Sequence, residues 1–141
     1  MANVIPYAFR GELLSGTHDF ASGGDSFKLA LYTASPYDVS STAYNATNEV
    51  SASGTNYVTT GNTLTGNAVV YATAVASCDF ADTEWTSATI TAAFGAIYND
   101  DVSDKLCVVL DFSGSKSCTN GTFTISFPSP ATPANAIISM A

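Results

Sequence analysis

Alternation with a period of two constrains this chain more than any other feature. In Phe27-Lys28-Leu29-Ala30-Leu31-Tyr32, residues Phe27, Leu29 and Leu31 fall on one side of an extended backbone, with Lys28, Ala30 and Tyr32 on the other. Successive side chains of a strand point to opposite faces, so this spacing predicts a strand with one face on a core. Residues 122–127 repeat the pattern with Phe123, Ile125 and Phe127 inward. Residues 105–112 are denser, with Leu106, Val108, Leu110 and Phe112 on one side and Cys107 and Val109 on the other; this predicts a central strand covered on both faces. Residues 113–121 read as the long loop of a hairpin leading into the Phe123 strand. Further strands are predicted near 68–74, 77–80, 88–98 and 136–140, with Gly95 marking a bulge or a close backbone approach.

Between 35 and 66 the chain is rich in Ser, Thr, Asn and Gly, which favour turns over continuous ladders, so long ordered loops with short strands are expected. Only residues 7–15 have room for a short helix, and Gly11 weakens it. The length supports one domain spanning 1–141. The predicted class is all-β: a single-domain antiparallel β-sandwich, jelly-roll-like, or a small barrel. Residues 1–20 form an N-terminal segment expected to pack on a partner.

Composition narrows the function. Fifty-six of the 141 residues are Ala, Ser or Thr, sixteen are charged, and there is one His and one Trp. Such an inventory is poor in catalytic groups. With few rotamer-rich Lys and Glu side chains to immobilise, the surface suits lying against neighbours. A net charge of −8 sets the chain against direct nucleic-acid contact, whose affinity comes from Lys and Arg displacing counterions. The cations Arg10, Lys28, Lys105 and Lys116 form no basic run for an anionic membrane surface. Residues 1–6 carry no basic lead and no apolar stretch follows before Arg10, so no secretory signal is read there. The most apolar run, 68–76, is about half a membrane-spanning length, and a soluble chain is expected. Cys78, Cys107 and Cys118 are an odd number without metal-site spacing, which predicts free thiols in a reducing place of assembly. No motif calls for a cofactor.

Several short motifs carry chemistry elsewhere. Gly24-Asp25-Ser26-Phe27 resembles part of a lipase nucleophile block, but that serine needs a histidine base late in the chain and the lone His18 precedes it. Ser113-Gly114-Ser115-Lys116 has a serine–lysine spacing that works on one helix turn, here in a Gly-containing loop. Asp100, Asp101 and Asp104 offer oxygen ligands to a cation such as calcium, against the reading of a solvated turn; the alternation and closing Glu of a calcium loop are missing. Asp79, Asp82 and Glu84 lack the partners of a two-carboxylate glycosidase. Asn45-Ala46-Thr47 and Asn120-Gly121-Thr122 fit the glycosylation sequon but read as turns. Trp85, Tyr37, Tyr44, Tyr57 and Tyr71 supply a second hypothesis, a sugar-stacking platform, against an ordinary aromatic core.

Seven blocks, in order along the chain, resemble a family of small structural proteins of tailed bacteriophages. They are 17–20 (THDF), 27–33 (FKLALYT), 42–44 with 48–51 (TAY and NEVS), 96–99 (AIYN), 109–112 (VLDF), 121–125 with 127–128 (GTFTI and FP), and 136–138 (AII). The family's Gly-rich passage after the Glu-Val-Ser block is here 52–57 (ASGTNY), and the three cysteines are peculiar to this chain. The resemblance brings no catalytic residue. It implies a virion component, foremost a capsid cement or decoration protein on the head exterior, made in the bacterial host cytoplasm. Its partner would be the major capsid protein, with copies of the chain itself as a second candidate, and neither nucleic acid nor membrane. A head–tail connector or tail protein, and a carbohydrate-binding module, are the alternatives. The adhesive element is placed at Tyr7, Phe9, Leu13 and Leu14, ahead of the regular strands.

Overall fold

The computed structural model describes residues 2–129, 132 and 135–140. Among the described residues one short helix, α1 (Tyr7–Leu14), precedes seven strands: β1 (Phe27–Tyr32), β2 (Asn62–Thr63), β3 (Ala68–Ala72), β4 (Val75–Asp79), β5 (Thr83–Asn99), β6 (Lys105–Ile125) and β7 (Ile138–Met140). They make two antiparallel sheets, a four-stranded one in the order β2-β1-β5-β6 and a three-stranded one in the order β3-β4-β7. The all-β class read from the sequence is therefore present, and among the described residues neither sheet closes into a barrel.

β1 has the predicted bounds and alternation. Phe27, Leu29 and Leu31 enter the main core between the sheets, while Ala30 and Tyr32 enter a smaller core on the opposite face of the large sheet. The main core also takes Trp85, Ala88 and Ile90 from β5 and Phe123 from β6. Cys78 and Ile138 come to it from the small sheet. Each fully buried large apolar side chain contributes about 1.5–3 kcal/mol.

The prediction for β6 needs three corrections. First, β6 is an edge strand of its sheet, not a central one. Its apolar density has another cause: Tyr37 and Tyr44 of the 35–48 loop, with Val4, cover its second face. Second, Leu106 does not share a face with Val108. Tyr98 pairs with Leu106 and Ile97 with Val108, so Cys107 is the extra residue of a bulge, and the alternation flips there. Third, residues 113–121 do not reverse the chain. β6 keeps pairing with β5 as far as Ile125, and the Ser-Gly chemistry serves a loop-out in which residues 112–115 oppose Ala93 alone, with Ser113 and Gly114 at positive φ. The chain reversal is the acidic turn at 100–104 between β5 and β6, as read from the sequence. Gly95 marks a close approach, of side chains: a Cβ there would stand 3.1 Å from both Leu29 and Phe112.

The N-terminal segment packs on the chain's own body. Val4 pairs with Val109 on the outer edge of β6, and Phe9 is fully buried in the main core. α1 ends where Gly16 takes φ +70°: Gly16 N donates to Leu13 O and Thr17 N to Glu12 O, which satisfies the last carbonyls and turns the chain toward His18. Among the described residues no helix is long and apolar enough to cross a membrane.

Candidate functional site

The sequence offered one apolar cluster for contact with a partner, and the structure splits it. Phe9 is completely buried, out of reach of a neighbour, and Leu13 is half-buried against the main core. The burial follows from helix geometry, since Phe9 and Leu13 are four residues apart and share the inward face of α1. Tyr7 and Leu14 remain exposed.

The proposed stacking platform also dissolves. Tyr37, Tyr57 and Trp85 are buried and Tyr44 is half-buried, whereas Tyr71 stands exposed on β3. Tyr57 and Trp85 lie 5.8 Å apart as core neighbours, so no shared open face of rings exists for a sugar. Trp85 Nε1 is buried without a hydrogen-bond partner.

Two polar networks escaped sequence reasoning because they join distant residues. The first is built on Asn99, the last residue of β5, which is fully buried. Its Oδ1 accepts from the backbone N–H groups of Asp101 (3.1 Å) and Val102 (3.2 Å). That fixes the amide orientation, so Nδ2 donates to Asp25 Oδ2 (2.8 Å) and to His18 Nδ1 (3.0 Å). His18 therefore accepts at Nδ1 and donates from Nε2 to Glu12 Oε2 (2.9 Å), a tautomer assigned by its partners. Lys105 Nζ donates to Glu12 Oε1. Burial pushes the Glu12 carboxyl up, but the hydrogen bonds from Lys105 and His18 and the charge of Lys105 outweigh it and hold it below its ordinary value.

The second network centres on Glu49. Its Oε2 accepts from Tyr44 OH (2.6 Å), and its Oε1 from Tyr57 OH (2.7 Å) and Thr60 N (2.8 Å). Tyr57 OH also accepts from Leu31 N, and Tyr98 OH donates to Thr60 O. Burial, then hydrogen bonding to or proximity of the Glu49 carboxylate, raises the phenols of Tyr44 and Tyr57. Five separate segments meet at these bonds, so the network fastens the 35–66 loops to the large sheet.

The other sequence candidates are occupied by the fold as well. Both ring nitrogens of His18 are engaged with Glu12 and Asn99, leaving Ser26 without a base. Ser26 N donates to Asp101 Oδ2 (2.7 Å), and Asp100 pairs with Lys28 at 3.0 Å. Among the described residues no group of three or more His, Cys, Asp or Glu is placed to hold a metal ion. Lys116 pairs with Ala92 in the β5–β6 ladder, on no helix. Burial pushes the Cys78 thiol up to about 12 and raises Cys107 well above its ordinary value; Cys118 is half-buried, and all three are free. A groove of about 690 Å³ lies along β6, lined mainly by Leu110, Phe112, Phe123, Ile125, Phe127 and Ile137.

No family model matches the chain, and comparison with curated proteins and with solved structures finds no match either.

Proposed function

We propose that the chain is a structural virion protein, a cement or decoration protein that binds the outer surface of a phage head and bridges capsid subunits. It works by contact and catalyses no reaction, and the jelly-roll-like winding of the sandwich belongs to this reading. The observation that carries it is how the polar side chains are used. The groups able to do chemistry, His18, Glu12, Asp25 and Glu49, are tied into networks that position loops. The exposed large apolar side chains, Tyr7, Leu14, Tyr71 and Met140 among them, are free for contact.

Charge supports the exterior position. A protein of net charge −8 would face repulsion beside packaged DNA, and an outer site carries no such penalty. Many modest contacts, repeated over a lattice, would resist internal pressure through multivalency. The resemblance to small tailed-phage structural proteins points the same way.

Absolute quantification of the chain in purified virions by mass spectrometry tests the reading. A cement protein is expected in hundreds of copies coating the head. A ring's worth of copies at one vertex would replace this reading with a connector or tail protein. Glycan-array binding by the isolated chain, with no copies in the virion, would replace it with a carbohydrate-binding module.

A further inference from the structure

We infer that the outer edge of β3 is a homodimer interface, at which two copies of the chain pair their β3 strands antiparallel about Val70. This inference goes beyond the virion reading and does not rest on it.

Among the described residues β3 pairs only with β4, which leaves its other edge open. Soluble proteins guard such edges with a charge, a proline or a bulge, because an open ladder recruits further strands. β3 has none of these. The stretch 67–78 contains no charged residue, no proline and no glycine, and its register with β4 is unbroken from Ala68–Asp79 to Ala72–Val75. Tyr71 is 80% exposed and Val69 38%, although both belong to residue types that sheets favour.

Hairpin geometry specifies which backbone groups face outward. β3 and β4 are joined by Thr73 and Ala74, both at positive φ (49° and 61°), a two-residue turn of the primed kind. In such a hairpin the closing pair, Ala72 and Val75, is hydrogen-bonded, and the pairs alternate from there. Val70 thus turns its N–H and C=O toward Ser77, while Val69 and Tyr71 turn theirs to the open edge. A two-fold axis through Val70 then sets Val69 of one copy opposite Tyr71 of the other, and the reverse. Each of these pairs exchanges both N–H···O=C bonds. The side-chain match is equally self-complementary. Tyr71 lies against Val69 of the second copy, an aromatic–β-branched pair of the favoured type, and Ala68 lies against Ala72.

The self-matching register selects a second copy as the occupant, and the lack of charge on the hairpin permits it. Two bodies of −8 repel over most approaches, and the uncharged 67–78 hairpin is where they can meet without bringing carboxylates together. The two-fold also sends Asp79 of each copy to opposite ends of the six-stranded sheet.

Sedimentation equilibrium of the full chain over a concentration series tests this, together with amide hydrogen exchange. A reversible monomer–dimer equilibrium is expected, with the Val69 and Tyr71 amides protected only at concentrations where the dimer forms, and the Val70 amide protected throughout. Tyr71→Glu is expected to weaken dimerisation at least about tenfold, by placing like charge at the contact and removing the aromatic pair. Val69→Pro removes an outward N–H at no cost to the β3–β4 ladder and is expected to do the same. If Val69→Pro fails to fold, Tyr71→Glu decides, since that side chain is on the surface. A monomer at every concentration would overturn the inference, as would a dimer indifferent to Tyr71→Glu or one that leaves the Val69 and Tyr71 amides unprotected.

Discussion

Gly61 shows how tightly single residues are specified where the loops meet the sheet. It sits at φ +82°, and a Cβ there would fall 1.9 Å from the carbonyl oxygen of Leu29, in the backbone of β1. Gly54 has nearly the same φ (+72°) but open space around it. Gly61→Ala is therefore expected to destabilise the chain by about 2–4 kcal/mol, against about 1 kcal/mol for Gly54→Ala, as read from urea unfolding. Equal losses would mean that conformation alone, not the contact with Leu29, sets the requirement. At this scale the sequence discloses residue types but not meetings. His18 and Asn99 are 81 positions apart, and nothing in their local context marks them as partners. The sequence motif sets His18 only against Ser26, whereas its partners Glu12 and Asn99 lie on α1 and at the end of β5.

Elements are held to one another by the two networks, and both respond to pH in opposite directions. The Glu12 carboxyl titrates lower in the folded chain than its ordinary value near 4.5, so its ionised form stabilises the fold at higher pH. That contribution is present above about pH 4.5 and is lost as the pH falls through the folded value. Glu12→Gln is expected to cost about 1–3 kcal/mol at neutral pH and to flatten the loss of stability in acid, measured by chemical unfolding across the range. A variant with the wild-type acid profile would remove Glu12 from the link between α1 and β6.

The tyrosines behave conversely. Burial and neighbouring groups raise the phenols of Tyr32, Tyr44, Tyr57 and Tyr98 above their ordinary value of 10. Stability from these groups is complete below about pH 10 and declines as the pH rises beyond it. Beyond the share of the two exposed residues, Tyr7 and Tyr71, tyrosinate absorbance is expected to appear together with loss of the folded circular-dichroism signal, not ahead of it. Ionisation of most tyrosines in an intact fold would contradict the account.

Elements differ in how far they can be read from sequence. β1 is legible because its period of two acts locally, and α1 only as the room that residues 7–15 leave for a short helix. The course of β6 was not, because Ser113-Gly114 is equally good chemistry for a turn and for a loop-out, and only pairing with β5 distinguishes them. Its supposed central position failed for a related reason: a strand covered by loops carries the same dense apolar pattern as one covered by strands.

Along the whole chain the acids are confined to one stretch. All twelve Asp and Glu residues lie between Glu12 and Asp111, and the last thirty residues carry Lys116 as their one charged side chain. In the fold this last stretch is not set apart from the acids, since Thr124 pairs with Glu84 and Phe127 N donates to Asp82; the uncharged β3–β4 hairpin is a surface where another protein can settle without like-charge repulsion. On the proposal that the chain serves by adhering to a phage head, the purified chain is added to expanded heads assembled without it. Saturable binding in many copies per head and slower release of packaged DNA on heating are expected. Heads that neither bind the chain nor change in stability would contradict the proposal.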